Sequence, residues 1–498
     1  AARYDELLAP ATSKDNDATF NRALSTYTNL DERFRASKRT YERQYAQLYF
    51  SRLMMLKEIM RARVQQLWPN VPVCSILEVQ ENKEAAVIGT VYKNMKLKPS
   101  ILDEYSKDRG LKAALGASNF CSDDDSVVLE DEGARMVLSV SAAAAGTGAS
   151  ASTSAGSVDP LNVQELVTGV VVAVRGVHEP GGDFMVSAVC FPGMAPNPHP
   201  LPTLASLANQ TAAAMATAAP GDKYIAFTSG LCLGGSKGDM LKTQLAFEFL
   251  TGNLGSAVEQ QLSSQIVRLV IAGGCIGHLE ALAGCGSSSG SSNMYNRQAQ
   301  GVALQPVRDL DLLLTEVSAG IPVDVMPGAE DPANVALPQQ PMHRCLFPAA
   351  GMHSTFMRAT NPHEFDLDGI RFLGCSGQNI DDMAKYCSCR ERLDLMERSL
   401  MYRHLAPTAP DTLTCYPFHD KDPFILEATP HVYFVGNQPE FATRFVSGVS
   451  SAGSSTSSAG PLVRLLAVPS FARTGTIVLL NLRTLACHPV RFDGTLGF

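Results

Sequence analysis

The sequence predicts a mixed α+β chain in which a small β-barrel precedes a two-sheet α/β sandwich, and three observations predict it. Between residues 84 and 190, apolar residues recur at a period of two in short runs cut by turns. Beyond Gly221, strand-like and helix-like runs alternate, the pattern that builds a sheet covered by helices. The chain then closes on a succession of strands that asks for a second sheet. With 498 residues, 45% of them hydrophobic, it exceeds what one core organises, so several domains are expected.

A polar opening, residues 1–30, has no periodicity and reads as a frayed start. Arg33, Arg35, Lys38, Arg39 and Arg43 then form a basic run. Its functional reading is nuclear import or weak phosphate contact; the favoured reading is a solvated helix face. Tyr45, Tyr49, Leu53, Leu56, Met60, Val64 and Leu67 follow at three- and four-residue steps, the stripe of an amphipathic helix that Pro69 ends. The strand candidates are Glu84 to Lys93, Ser126 to Glu130, Arg135 to Ser139, Gly169 to Gly176 and Asp183 to Cys190. A set of about five short strands is the size of an OB-type barrel. Such barrels often bind single strands through basic and aromatic side chains. Tyr92, Phe184 and Arg175 are the main ones here, so a structural or protein-binding barrel is favoured.

The second half offers strands at Lys223 to Ser229, Gln265 to Ala272 and Ile321 to Met326, with helices at Asp239 to Gly252 and Leu304 to Ala319. Further strands are expected at Ile370 to Cys375, His431 to Val435, Leu462 to Val468, Gly475 to Leu482 and Leu485 to Phe492. Ala/Ser/Gly-rich tracts at 141–157, 203–219, 284–292 and 448–460 cannot bury much surface and read as loop insertions. The resulting division is 1–72 for a polar segment and helix, 73–202 for the barrel, 203–220 for a linker, and 221–498 for the sandwich.

A net charge of −8 argues against a dedicated nucleic-acid surface. Twelve scattered cysteines, without a recognisable leader, read as reduced thiols of an intracellular protein. Cys387 and Cys389 have the wrong spacing for a zinc or redox pair and read as helix-face thiols. No apolar run approaches the roughly 20 residues needed to cross a bilayer, so no membrane association is expected.

The stretch Ile321 to Pro341 reads as a buried strand running into a Pro327-Gly328 turn, where a layered fold presents loop residues to a ligand. A binuclear metallophosphoesterase has Pro-Gly-Asn-His-Asp at such a turn; here Ala329 and Glu330 occupy the Asn and His places. Together with Ser229-Gly-Leu-Cys-Leu-Gly-Gly235, Lys242-Thr-Gln-Leu245, Arg371 to Asn379, Arg403 to Phe418 and His431 to Asn437, this stretch resembles the B-subunit family of eukaryotic replicative DNA polymerases, the polymerase delta branch in particular. The likeness runs from about Tyr41 to the C-terminus, broken by the low-complexity tracts.

That resemblance implies an OB domain packed on a calcineurin-like phosphoesterase domain that has lost its metals, with no cofactor. It also implies a nuclear scaffold joining the cysteine-rich C-terminal domain of the catalytic subunit to a third subunit. A translesion polymerase is known in this family to borrow the same subunit, and DNA contact is expected to be indirect or weak. Archaeal relatives in the D-family polymerases are active 3′–5′ exonucleases, so the ligand positions matter. Hard carboxylates and imidazoles must hold two cations about 3.5–4 Å apart. By alignment, Gly230 and Cys232 replace the Asp-x-His of the first strand, Gly274 the bridging Asp, and Asn437 and Pro439 the two His of the last motif. A rearranged site from Glu330, Asp331, His278 and His431 is the alternative; the favoured reading is that Asp331 caps the turn and the histidines make ordinary hydrogen bonds.

Overall fold

The computed structural model describes residues 20–36, 42, 44–98, 119–140, 161–198, 221–277, 293–448 and 461–492, without side chains for 293–303. The chain opens with strand β1 (Tyr27–Asn29), a 3₁₀ turn (Asp31–Phe34) and helix α1 (Ala46–Leu67). Strands β2 (Val73–Cys74), β3 (Glu84–Asn94), β4 (Ser126–Glu130), β5 (Arg135–Val140), β6 (Val171–His178) and β7 (Phe184–Cys190) follow. Neighbours run β3-β4-β5-β7-β6, and β6 pairs back onto β3, which closes a five-stranded barrel with β2 on its margin. The eleven-residue β3 reaches two partners, pairing β6 through Glu84–Thr90 and β4 through Thr90–Asn94. At its midpoint a side chain on Gly89 would lie 2.6 Å from the Glu130 carbonyl, so the strand turns the corner on a glycine.

Helix α1 lies on the outside of this barrel. Leu53, Leu56, Met60, Val64 and Trp68 pack on Ala86, Ile88, Val171, Ala173, Ala188 and Cys190, which realises the stripe read from the sequence. Its N-terminal end differs: Tyr45 precedes the helix and is exposed, while Arg52 is fully buried.

The remainder contains β8 (Tyr224–Thr228), α2 (Met240–Thr251), α3 (Ala257–Ser264), β9 (Ile266–Ala272), α4 (Asn293–Gly320), β10 (Val323–Met326), β11 (Phe356–Arg358), β12 (His363–Leu367) and β13 (Ile370–Cys375). It continues through α5 (Gln378–Tyr386), α6 (Arg392–Met401), β14 (Val432–Gln438), β15 (Ala442–Ser447), β16 (Leu462–Pro469), the one-turn α7 (Phe471–Thr474), β17 (Thr476–Asn481) and β18 (Cys487–Arg491). Two six-stranded sheets result, β11-β10-β9-β8-β17-β18 and β1-β12-β13-β14-β16-β15. They face each other across Phe227, Val270, Phe365, Phe372, Phe434, Leu466 and Val478. Helices α2 and α4 cover the outer face of the first sheet through Phe247, Leu250, Leu310 and Leu314. Helices α5 and α6 cover the second through Ile380, Met383, Leu395 and Leu400 in a core continuous with the barrel interior.

The chain departs from the sequence reading at its start. Residues 20–30 are held rather than frayed, since β1 pairs antiparallel with β12 and Arg22 donates to the carbonyls of Leu250, Thr251, Ser263 and Ile266. Arg33 is on the 3₁₀ turn and pairs with Glu364 at 2.8 Å while donating to the Ile425 carbonyl, so it is neither a solvated helix face nor free for phosphate. Arg35 is exposed, and Lys38, Arg39 and Arg43 lie outside the described residues. Cys387 and Cys389 are in the loop after α5 rather than on a helix face, because the helix ends at Tyr386. The low-complexity tracts fall outside the described residues except Gly448, whose amide donates to the Pro461 carbonyl and closes the β15–β16 hairpin. No described helix is long and apolar enough to cross a membrane.

Candidate functional site

Strands β8, β9 and β10 are parallel, and β14 is parallel to β13 and β16 in the facing sheet. The loops that leave their C-terminal ends converge in one place. Gly230 and Cys232 follow β8, Gly273 and Gly274 follow β9, Gly328 to Asp331 follow β10, Ser376 follows β13, and Asn437 is within β14. Six of the positions singled out from the sequence are therefore neighbours: Gly230, Cys232, Gly274, Asn437 and, on the turn, Ala329 and Glu330.

Their packing is tight. A side chain on Gly274 would begin 2.5 Å from Asn437 Oδ1 and 2.9 Å from the Gly230 Cα; one on Gly230 would begin 2.5 Å from Ser470 Oγ. Asn437 lies across the centre in the left-handed region (φ 58°). Its Nδ2 donates to the carbonyls of Ser376 (2.7 Å) and Ala272 (3.2 Å), and its amide donates to Ser229 Oγ at 2.8 Å. Beside it a neutral network joins Gln339, Asn361, Ser376 and Gln378, in which Asn361 Nδ2 donates to Gln339 Oε1 (2.8 Å) and to Ser376 Oγ (2.9 Å).

Asp331 is the buried carboxylate of the cluster. It accepts from the amides of Gly328 (2.7 Å), Gly274 (2.8 Å), Ile276 (2.8 Å) and Cys275 (3.2 Å). Burial raises its pKa above the usual carboxylate value, and the four amides oppose that rise. It caps the turn, as the sequence reading favoured, with its lone pairs directed at backbone. Glu330 and Ala329 face solvent, and Pro439 lies just past the end of β14. Cys232 adopts a φ of 50° and its thiol pKa is pushed up by burial.

His431 is outside this cluster, ahead of the first residue of β14 and so at the far end from Asn437, where its Nδ1 accepts from the Arg371 amide. His278 lies outside the described residues. Among the described residues no group of three or more His, Cys, Asp or Glu has the arrangement of a metal site.

Two buried charge clusters that the sequence reading missed hold the site's surroundings. Asp422 accepts from Arg52 Nε and pairs with His404 Nε2, each at 2.8 Å, while Arg52 also donates to the carbonyls of Gly169, Pro407 and Ala409. One side chain of α1 thereby ties the barrel to the loop after α6. Burial and then the Arg52 charge lower His404 to about 4, so it is neutral, while both partners hold Asp422 well below the carboxylate range against its burial. In the second cluster His363 Nδ1 meets Asp31 at 2.8 Å, and its Nε2 is 3.5 Å from Asp324, which pairs with Arg268. Burial alone lowers the His363 pKa, but Asp31 and Asp324 outweigh it and raise it to about 9. Histidine and arginine in hydrophobic surroundings were the only signal available for either cluster.

Comparison with known proteins places the chain. Residues 44–189 match the family described as DNA polymerase delta subunit OB-fold domain, and residues 225–443 match the DNA polymerase alpha/epsilon B-subunit family. The DNA polymerase delta small subunit of Arabidopsis thaliana is 41% identical over 480 residues, covering 96% of this chain and 98% of that protein. The chain belongs to the DNA polymerase delta small-subunit family. The Saccharomyces cerevisiae small subunit is 31% identical over 92% of this chain and 91% of that protein. The DNA polymerase II small subunit of Archaeoglobus fulgidus is 26% identical over 47% of this chain and 46% of its own. The family is that of an accessory, non-catalytic subunit in DNA replication, and the barrel is its OB-fold domain.

Proposed function

We propose that the sandwich is a calcineurin-like phosphoesterase domain without catalysis, and that the chain acts in the nucleus as a scaffold within DNA polymerase delta. The observation that carries this reading is the glycine contact at the strand ends. An aspartate at position 274, the bridging ligand of an active relative, has no space for its Cβ beside Asn437 and Gly230. The donor set is equally unsuited: the buried carboxylate, Asp331, is committed to four amides, Glu330 faces solvent, and the other groups are amides, hydroxyls and the Cys232 thiol rather than imidazoles. A metal pair does not fit these residues, and no hydrolytic step is derived through one. Gly230, Cys232, Gly274, Ala329, Glu330, Asn437 and Pro439 are read as vestigial positions.

In this reading the barrel and the sandwich together bind the cysteine-rich C-terminal domain of the catalytic subunit and a third subunit. Stable complexes of this kind bury about 1,200–2,000 Å². A translesion catalytic subunit is a further partner of the same type, and contact with DNA is indirect or weak. Co-purification with C-terminal fragments of candidate catalytic subunits tests it; absence of a complex with every such fragment overturns the scaffold. The enzyme rival, a surviving phosphodiesterase or 3′–5′ exonuclease, predicts turnover of single-stranded DNA with manganese that is lost in Glu330→Gln. The rival single-stranded-DNA-binding role predicts steeply salt-dependent binding by the isolated protein.

A further inference from the structure

Lys93 is fully buried at the mouth of the barrel, on the inward face of β3. Its ammonium donates to the Tyr386 carbonyl at 3.0 Å, lies 3.5 Å from Asp125 Oδ2, and is 3.7 Å from the sulfur of Cys121. The loop that carries Cys121 is stitched to the end of α5. Asn119 Nδ2 donates to the carbonyls of Ala384 and Cys387, the Phe120 amide donates to the Lys385 carbonyl, and the Phe120 ring stacks on Tyr386. This amine, thiol and carboxylate thus meet where the barrel joins the sandwich. Cys121 is half-buried, within reach of a small oxidant, whereas its amine neighbour is enclosed.

We propose that Cys121 and Lys93 form a peroxide-driven covalent crosslink that acts as a redox switch on this seam. The Cys121 sulfur attacks a peroxide oxygen; the O–O bond breaks and an S–O bond forms. The sulfur becomes a sulfenic acid as the peroxide is reduced to water or an alcohol. Lys93 passes one proton to Asp125, and its neutral amine attacks that sulfur. The S–N bond forms, the S–O bond breaks, and the hydroxide takes the second nitrogen proton and leaves as water. Asp125 then releases its proton. Burial raises the Cys121 thiol pKa against the pull of Lys93, so the first step is slow and responds to sustained oxidant rather than to a trace.

The crosslink removes the charge that holds Asp125 and the bond to Tyr386, whose carbonyl ends α5. Oxidation therefore loosens the seam, and a thiol reductant restores it.

The test treats the full chain with hydrogen peroxide, blocks free thiols, and maps tryptic peptides by mass spectrometry without reductant. The expected product joins the Lys93 and Cys121 peptides with loss of two hydrogen atoms, is resistant to cleavage after Lys93, and vanishes on reduction. Both Lys93→Arg and Cys121→Ser abolish it. Amide exchange at residues 384–387 loses protection on oxidation of the parent protein and keeps it in Cys121→Ser. Cys121 found only as oxygen adducts, or joined to another thiol such as Cys387 while Lys93 stays free, overturns the proposal. Should Lys93→Arg fail to fold, the Cys121→Ser protein and the parent peptide map decide alone.

Discussion

Gly274 has a φ of 71° and its missing side chain would collide with Asn437, so placing an aspartate there, as the proposed phosphoesterase ancestry would have it, is a steric insult before it is chemistry. Gly274→Asp is expected to lower stability by roughly 2–5 kcal/mol, the sum of backbone strain and overpacking, without conferring nuclease activity. Chemical denaturation and a manganese nuclease assay check the two halves. Asp331→Ala leaves four amides without an acceptor and is expected to cost about 3 kcal/mol or more, whereas Glu330→Gln, being exposed, is expected to change stability by less than about 0.5 kcal/mol. His404 and His363 act in opposite directions. The folded pKa of His404, about 4, lies below its unfolded value, so its stabilising contribution is present above pH 6.5 and is lost as the pH falls toward 4. The folded pKa of His363, about 9, lies above, so its contribution is complete below pH 6.5 and is lost as the pH rises toward 9. His404→Gln is expected to flatten the acid limb of the stability profile and His363→Gln the alkaline limb, read as thermal midpoints across pH.

Among the elements, β1 and the turn after it are the least conspicuous in sequence and are closely tied. Three strand residues pair with β12, Asp31 reaches His363, and Arg22 collects four carbonyls, two of them from the C-terminal turn of α2, where a cation is favoured. Arg22→Ala is expected to cost about 1–2 kcal/mol, measured as a denaturation midpoint, and to speed amide exchange at Ala23, whose amide donates to the Ser264 carbonyl. The strip was unreadable because a three-residue strand has no period. It is stabilised by partners more than 200 residues away.

At the scale of the molecule, α1 is shared by both halves, beside the core common to the barrel and helices α5 and α6. Its apolar stripe grips the barrel, and Arg52 crosses to Asp422 and the carbonyls of Pro407 and Ala409. Arg52→Ala strands a buried carboxylate and is expected to cost about 3–5 kcal/mol, with exchange protection lost together in the loop 404–426 and the barrel. A loss confined to the barrel would mean that the shared core and the contacts of residues 119–121 with the end of α5 keep the halves together without Arg52. The scaffold reading needs this coupling, since one partner spanning both halves requires them to keep a fixed relation.

The period-two runs, the alternation after Gly221 and the length of the stripe from Leu53 to Val64 determined the barrel, the helix on it and the central strands of the sandwich, because burial on one face imposes those periods. Gly230, Cys232, Gly274, Ala329, Glu330, Asn437 and Pro439 were also singled out in the chain, as positions that the proposed phosphoesterase ancestry would fill with ligands. Only the tertiary structure decided that Gly230 and Gly274 are packed against Asn437, that Arg33 is spent on Glu364, and that Arg52, His404 and Asp422 meet. Local pattern reports which face of an element is buried, whereas pairing between charged side chains far apart in sequence depends on how the sheets are stacked, and no periodicity encodes that.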